Sequence, residues 1–127
     1  MAEFNFELVS PERLLMSANI EHVVLPGIEG QLGVMSGYLP SIVMLKPGMI
    51  SVLSGNSVTH KIYVRGGFAD INAQEVTVLA EHAMDIETAS KDDIAAEISV
   101  AEQNLKEAND EDAYFIAQSA LDALRSI

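Results

Sequence analysis

Four glycines, Gly27, Gly30, Gly33 and Gly37, punctuate the segment LPGIEGQLGVMSGYLP at 25–40, and this is the spacing in the chain that most invites a chemical reading. A glycine-rich loop cradles phosphate when a Lys-Ser or Lys-Thr step follows and a helix N-terminus stands behind it. Lys46 is followed by Pro47 and Lys61 by Ile62, and no helical pattern follows the glycines. The dinucleotide fingerprint GxGxxG is missing. Ser36 is preceded by Val34-Met35, so it is not the serine of a GxSxG nucleophile elbow. His22, His60 and His82 lie far apart with no pair at metal-ligand spacing, and the absence of cysteine removes thiolate ligands and nucleophiles together. Arg65 and Asp70 read as a surface ion pair across the Gly66-Gly67 turn. The chain thus offers no catalytic, cofactor-binding or metal-binding constellation, and an enzyme is not expected.

Two readings of the glycine segment stay open. In one, it is a strand–turn–strand whose glycines supply positive φ while Leu32, Val34 and Met35 dip into a core. In the other it is a shaped docking surface, because Tyr38-Leu39-Pro40 places an amphipathic aromatic and a Leu-Pro step at a strand entrance, where such side chains form rims for protein contacts.

The elements that must position these residues fall into two halves. Up to about Ala83 the chain alternates: Phe4, Phe6 and Leu8 share a face, as do Val58, His60, Ile62 and Val64, with Thr59, Lys61, Tyr63 and Arg65 opposite, and as do Val76, Val78 and Ala80. Pro26-Gly27, Pro47-Gly48, Gly55-Asn56 and Gly66-Gly67 separate the segments with turn chemistry. Many short strands at this spacing predict an antiparallel β-sandwich or flattened barrel over residues 1–85. Met35, Met44 and Met49 are expected to fill core gaps.

Beyond Ala83 the period changes to that of a helix. Ile94, Ile98, Ala101, Leu105 and Ala108 form one stripe; Tyr114, Ala117, Leu121 and Leu124 form another. Ser90 with Asp93 makes a capping box, and Asn109 with Asp112 is expected to repeat it. The short connection predicts an antiparallel α-helical hairpin over 86–127, giving an α+β chain. Its alanine-rich interface buries little area per residue, so the hairpin should be the labile part. Its carboxylates between Asp85 and Asp112 read as a solvated face.

Composition narrows the partners. Of the 127 residues, 49% are apolar, enough for a packed domain. A formal charge of -12 with seven Lys and Arg argues against nucleic acid and against an anionic membrane surface. MAEFNFELVS lacks the basic and apolar regions of a signal peptide, and no apolar run approaches bilayer-spanning length, so neither secretion nor direct membrane insertion is expected.

VSPE at 9–12, LPGIEGQLGVMSGYLP at 25–40, LKPGMI at 45–50, VRGGFADI at 64–71 and VTVLAEHA at 76–83 closely resemble the epsilon subunits of bacterial F-type ATP synthases, in order and at that family's spacing. The resemblance implies a non-catalytic part of a rotary motor: a β-sandwich clamp at the foot of the central stalk, gripping the gamma subunit and resting on the polar loops of the c-ring. Glu29, Gln31, Leu32 and Gly33 match the loop that meets the ring. Ser10, Tyr38, Leu39 and Pro40 match positions facing the stalk. The implied location is the cytoplasmic face of the cell inner membrane, as a peripheral part of the complex. Tyr38 stands where the family commonly has His, and Gln31 where an acidic residue is frequent; both keep hydrogen-bonding capacity.

Family members that bind ATP carry an Asp-x-x-Arg-Ala type motif at the first helix. The matching segment here, DIETASKDDIAAE at 85–97, has no Arg, and Lys91 sits among carboxylates, so no nucleotide is expected. In the family the hairpin can also extend into the catalytic head and brake hydrolysis, aided by basic side chains on its second helix; this chain has only Arg125 there. A coupling subunit whose hairpin stays against the sandwich is therefore the main expectation, with a regulatory brake as the alternative. A small β-sandwich ligand-binding module is the remoter one, and it would need a deep apolar pocket with converging polar groups.

Overall fold

The structure is a computed structural model, described over residues 2–127. Ten strands come first: β1 (Phe4–Val9), β2 (Leu14–Ile20), β3 (His22–Gly27), β4 (Gly30–Met35), β5 (Ser41–Leu45), β6 (Gly48–Ser54), β7 (Ser57–Val64), β8 (Gly67–Ile71), β9 (Glu75–Ala80) and β10 (Ala83–Asp85). Two helices follow, α1 (Lys91–Glu107) and α2 (Glu111–Arg125). The strands join in the order β10-β7-β6-β3-β5-β8-β9-β1-β2, with β4 added on β3, and wrap into a nearly closed sandwich. The α+β class and the strand-then-helix order are those expected from the change of period.

Alternation decides which side chains enter the sandwich. Along β1 every second residue is buried, so Phe4, Phe6 and Leu8 point inward beside Val76, Val78 and Ala80 of β9. Leu25, Ile50, Val52 and Val64 complete a core from which water is excluded. One pairing departs from the antiparallel expectation, since β1 and β9 run parallel, with Phe6 opposite Val76 and Leu8 opposite Val78. These strands are far apart in sequence. Period-two patterning carries no strand direction, and only short hairpin turns enforce the antiparallel sense.

β7 departs in a second way. The register slips between Val52 and Leu53 of β6, so that Val52 faces His60 while Leu53 faces Val58. The residue between, Thr59, is bulged and its hydroxyl donates to the Val52 carbonyl at 3.2 Å. Val58 and His60 are exposed, whereas Ile62 and Val64 are buried as expected. Tyr63 is buried too, on the opposite face. A second apolar layer forms there: Tyr63 lies across from Met49 on β6 and Met84 on β10, and the helical hairpin covers all three.

The helices begin as local chemistry requires. Ser90 caps α1, its hydroxyl accepting from the Asp93 N–H at 3.0 Å, while the Asp93 carboxylate accepts from the Ser90 N–H at 3.2 Å. For α2 the cap is Asp110 rather than Asn109: its carboxylate accepts from the Ala113 N–H at 2.7 Å. The start of the inward face moves with it, so Ala117, Ala120, Leu121 and Leu124 are buried while Tyr114 is exposed. On α1 the buried residues are Glu97 and Ala101, with Ile98 and Leu105 packed at the margin.

Arg65 does not pair with Asp70. Asp70 points outward on β8, between Ile42 and Thr77 of the neighbouring strands. The Arg65 guanidinium instead reaches Glu97 of α1, with Nε donating to Oε1 at 2.9 Å and Nη2 to Oε2 at 3.0 Å. Burial beneath the hairpin, together with the nearby Glu97 charge, pushes the Tyr63 hydroxyl up to about 12. The methionines also divide: Met49 packs under the hairpin, but Met35 and Met44 are about half exposed and fill no core gap.

Candidate functional site

The glycine segment is a strand–turn–strand. β3 and β4 pair from His22–Met35 to Gly27–Gly30, which leaves Ile28 and Glu29 as a two-residue tip. Two of its glycines are there for space. A Cβ on Gly27 would lie 2.7 Å from the Gly30 carbonyl oxygen, and one on Gly33 would lie 3.0 Å from His22 Nε2. Gly30 and Gly37 have φ of +141° and +86°, where a side chain would be strained. Val34 is fully buried and Leu32 packs at the core margin. Glu29, Gln31 and the Gly33 backbone are exposed. The tip is anchored rather than loose, because the Ile28 N–H donates to the Met44 carbonyl at 3.0 Å.

Tyr38, Leu39 and Pro40 connect β4 to β5. The Tyr38 N–H donates to the Met35 carbonyl at 3.3 Å, and its ring packs against the core. Leu39 projects outward with 79% of its surface exposed. This connection lies at the β8–β9 turn, where the Gly37 N–H donates to the Ala73 carbonyl at 2.9 Å. Ser10 is elsewhere. It sits after β1, buried, with its hydroxyl donating to Glu12 Oε2 at 3.2 Å and its backbone exchanging hydrogen bonds with Arg13. Along β5, Tyr38–Pro40 therefore precede the Ser41 end, while Ser10 lies toward the Leu45 end, beyond Leu79 and Phe68.

Between these places the structure shows a feature that alternation alone did not reveal. Val9, Leu79, Phe68 and Met44 stand opposite one another on β1, β9, β8 and β5, forming an apolar row across the outer face of four strands. Leu79, Phe68 and Met44 are 40%, 37% and 56% exposed, on a face that solvent would ordinarily make polar. Ile42 extends the patch at 69% exposure. The row floors a groove of about 960 Å³, with Ser10 and Ile28 at its margins. Phe115 and Ile116 of α2 form its far wall, and Lys46 Nζ stands 5.6 Å from the Phe115 ring. A second groove of about 540 Å³ runs beside the β3–β4 tip, lined by Glu29, Gln31, Leu32 and Ile42. The clue in the sequence was the unbroken run Ile42-Val43-Met44-Leu45, which is apolar on both faces of one strand.

None of this geometry assembles a reacting centre. His22 packs on Gly33, His60 Nδ1 lies 3.1 Å from the Thr59 hydroxyl, and His82 Nε2 lies 3.5 Å from Glu97. Among the described residues no helix is long and apolar enough to cross a membrane. The arrangement suits contact with proteins: rigid turns, an exposed apolar face and a polar tip.

Comparison with known proteins agrees with the strand-rich half in detail. Residues 3–86 match the family model for the ATP synthase delta/epsilon chain β-sandwich domain. The chain is 43% identical over 106 residues to the ATP synthase epsilon chain of Rhodospirillum rubrum, covering 84% of this chain and 79% of that one. It is 39% identical over 128 residues to the epsilon chain of Parvibaculum lavamentivorans, covering 100% of this chain and 97% of the relative. Among solved structures, a chain of the Euglena gracilis mitochondrial ATP synthase (OSCP/F1/c-ring) superposes with a TM-score of 0.70 at 21% identity, covering 98% of this chain and 79% of that one. A chain of the Tetrahymena thermophila mitochondrial ATP synthase central stalk and c-ring gives 0.67 at 14% identity, covering 98% and 96%. The matched domain, the shared identity along the whole length and the common fold place this chain in the ATP synthase delta/epsilon chain family.

Proposed function

We propose that this chain is a non-catalytic central-stalk subunit of an F-type ATP synthase, joining the gamma subunit to the c-ring so that rotation stays coupled to proton flow. Residues 1–85 do the docking, and residues 86–127 form an accessory hairpin. The β3–β4 tip, with Glu29, Gln31, Leu32 and Gly33, meets the polar loops of the ring. Ser10, Tyr38, Leu39 and Pro40 face the stalk. Assembly in this complex makes the chain a peripheral protein on the cytoplasmic face of the inner membrane.

The observation that carries this reading is the exposed apolar row Met44–Phe68–Leu79 beside a polar, hydrogen-bonded tip. An apolar patch on a stable sheet marks a contact made in an assembly. The polar tip suits a partner that presents hydrophilic loops. The names of the relatives and the stalk and c-ring assemblies that contain the similar folds support the same context. The test is a pull-down of purified gamma subunit by the full chain and by Phe68→Glu and Leu79→Glu variants. The reading expects at least tenfold weaker capture by either variant with thermal stability retained; undiminished capture by both would refute it.

A second reading, a brake on hydrolysis through an opening hairpin, is favoured by one observation: three of the five buried apolar residues of α1 and α2 are alanines. Deleting the residues after Glu87 separates the two, because a brake would be lost and coupling would persist.

A further inference from the structure

Glu97 is the only charged side chain among the described residues that is buried, at 8% exposure. Both groups that reach its carboxylate belong to the sandwich. Arg65, following β7, grips both oxygens, and His82, following β9, brings Nε2 to 3.5 Å. Tyr63 is close enough for the Glu97 and Arg65 charges to act on its hydroxyl. The sandwich itself holds Arg65 and His82 side by side, because the Arg65 N–H donates to the His82 carbonyl at 2.9 Å. On α1 little else identifies a position, since Ala101 is its one other buried residue; α2 adds the apolar contacts of Leu121 and Leu124. Sliding the hairpin by one turn would unseat Leu121 and Leu124 as well as Glu97, but only at Glu97 does it separate a charge from its partner cation.

We infer that Arg65, His82 and Glu97 form a latch that fixes the hairpin in one docked position, and that breaking it releases the hairpin from the sandwich without loosening the sandwich itself. A buried ion pair adds little net stability over an apolar contact but discriminates strongly against misplaced arrangements. That is the property a detachable element needs: a single defined closed state, lost through a local change. Arg65 is partly solvated, so its pairing is strong enough to select the position and weak enough to be broken.

The experiment uses the full chain. The natural sequence has no cysteine, so Asn56→Cys on the β6–β7 turn and Ser99→Cys on α1 give a clean spin-label pair spanning sandwich and hairpin. Distance distributions and hydrogen exchange are then measured in this background and in Glu97→Gln, Arg65→Gln and the double variant. The latch predicts about a tenfold or greater rise in the undocked population for each single change. It predicts no further rise in the double variant, faster exchange in α1, α2 and around Tyr63, and unchanged protection in β1, β3 and β9. The swapped pair Arg65→Glu with Glu97→Arg serves as a second check and recovers part of the docked population. An unchanged distance distribution in both single variants, additive effects in the double variant, or parallel loss of protection in β1 and β9 would each overturn the latch.

Discussion

The sandwich core holds Phe6, Leu8, Leu25, Ile50 and Val52 at 2% exposure or less, whereas the layer under the hairpin consists of Tyr63, Ala101, Ala120, Leu121 and Leu124. The first is a closed set of large branched and aromatic side chains contributed by strands remote in sequence. The second is a smaller set, in which Ala101 and Ala120 let the helices approach beside Tyr63, Leu121 and Leu124. One chain therefore carries two grades of cohesion. The sandwich has the deep core, and the helical hairpin rests on the shallow one.

The contrast breaks most readily at its extremes. Phe6→Ala removes a fully buried ring from the centre of the sandwich; a loss of about 3–5 kcal/mol is expected, read as a lowered denaturation midpoint with strands and helices melting together. Leu121→Ala, equally buried, should cost about 2–4 kcal/mol, but the loss should appear as faster exchange in α1 and α2 with strand protection unchanged.

The alkaline limb sharpens the comparison further. The folded state keeps the Tyr63 proton to about pH 12, while the unfolded chain surrenders it near 10. The stability tied to this proton is complete below pH 10 and declines as pH rises toward 12, by roughly 2–3 kcal/mol. Tyr63→Phe should abolish that part of the decline, measured as the difference between the two proteins in denaturant melts across this range. The smallest effect is at the helix start: Ser90→Ala removes the capping box and should cost about 1 kcal/mol, confined to α1.

Much of this division was legible in the sequence. Alternation at Phe4-Phe6-Leu8 and Val76-Val78-Ala80 identified core strands, and the Ser90–Asp93 pair marked a helix start, because both signals are local. The glycine spacing left a strand–turn–strand as one of two open readings; the structure shows that hairpin, with Gly27 and Gly33 required by contacts with residues close in sequence. What failed depended on partners far along the chain. Alternation puts Tyr63 on the face opposite Ile62 and Val64, and nothing near it announces the helices that bury that face. Arg65 was matched with the nearby Asp70, when its partner lies on α1. Met44 was placed in the core because a methionine in an apolar run looks the same whether it meets other side chains of its own chain or another molecule. The exposed row of Met44, Phe68 and Leu79 becomes visible only when four strand registers are laid side by side.

The most direct test concerns the division of labour itself. ATP synthase stripped of this chain is given back either the full chain or residues 1–87, and ATP-driven proton pumping is measured beside ATP hydrolysis. If the sandwich is the platform, both forms restore pumping to the same extent. Restoration by the full chain alone, with the truncated form folded but inactive, would show that the hairpin is part of the coupling surface and contradict the account.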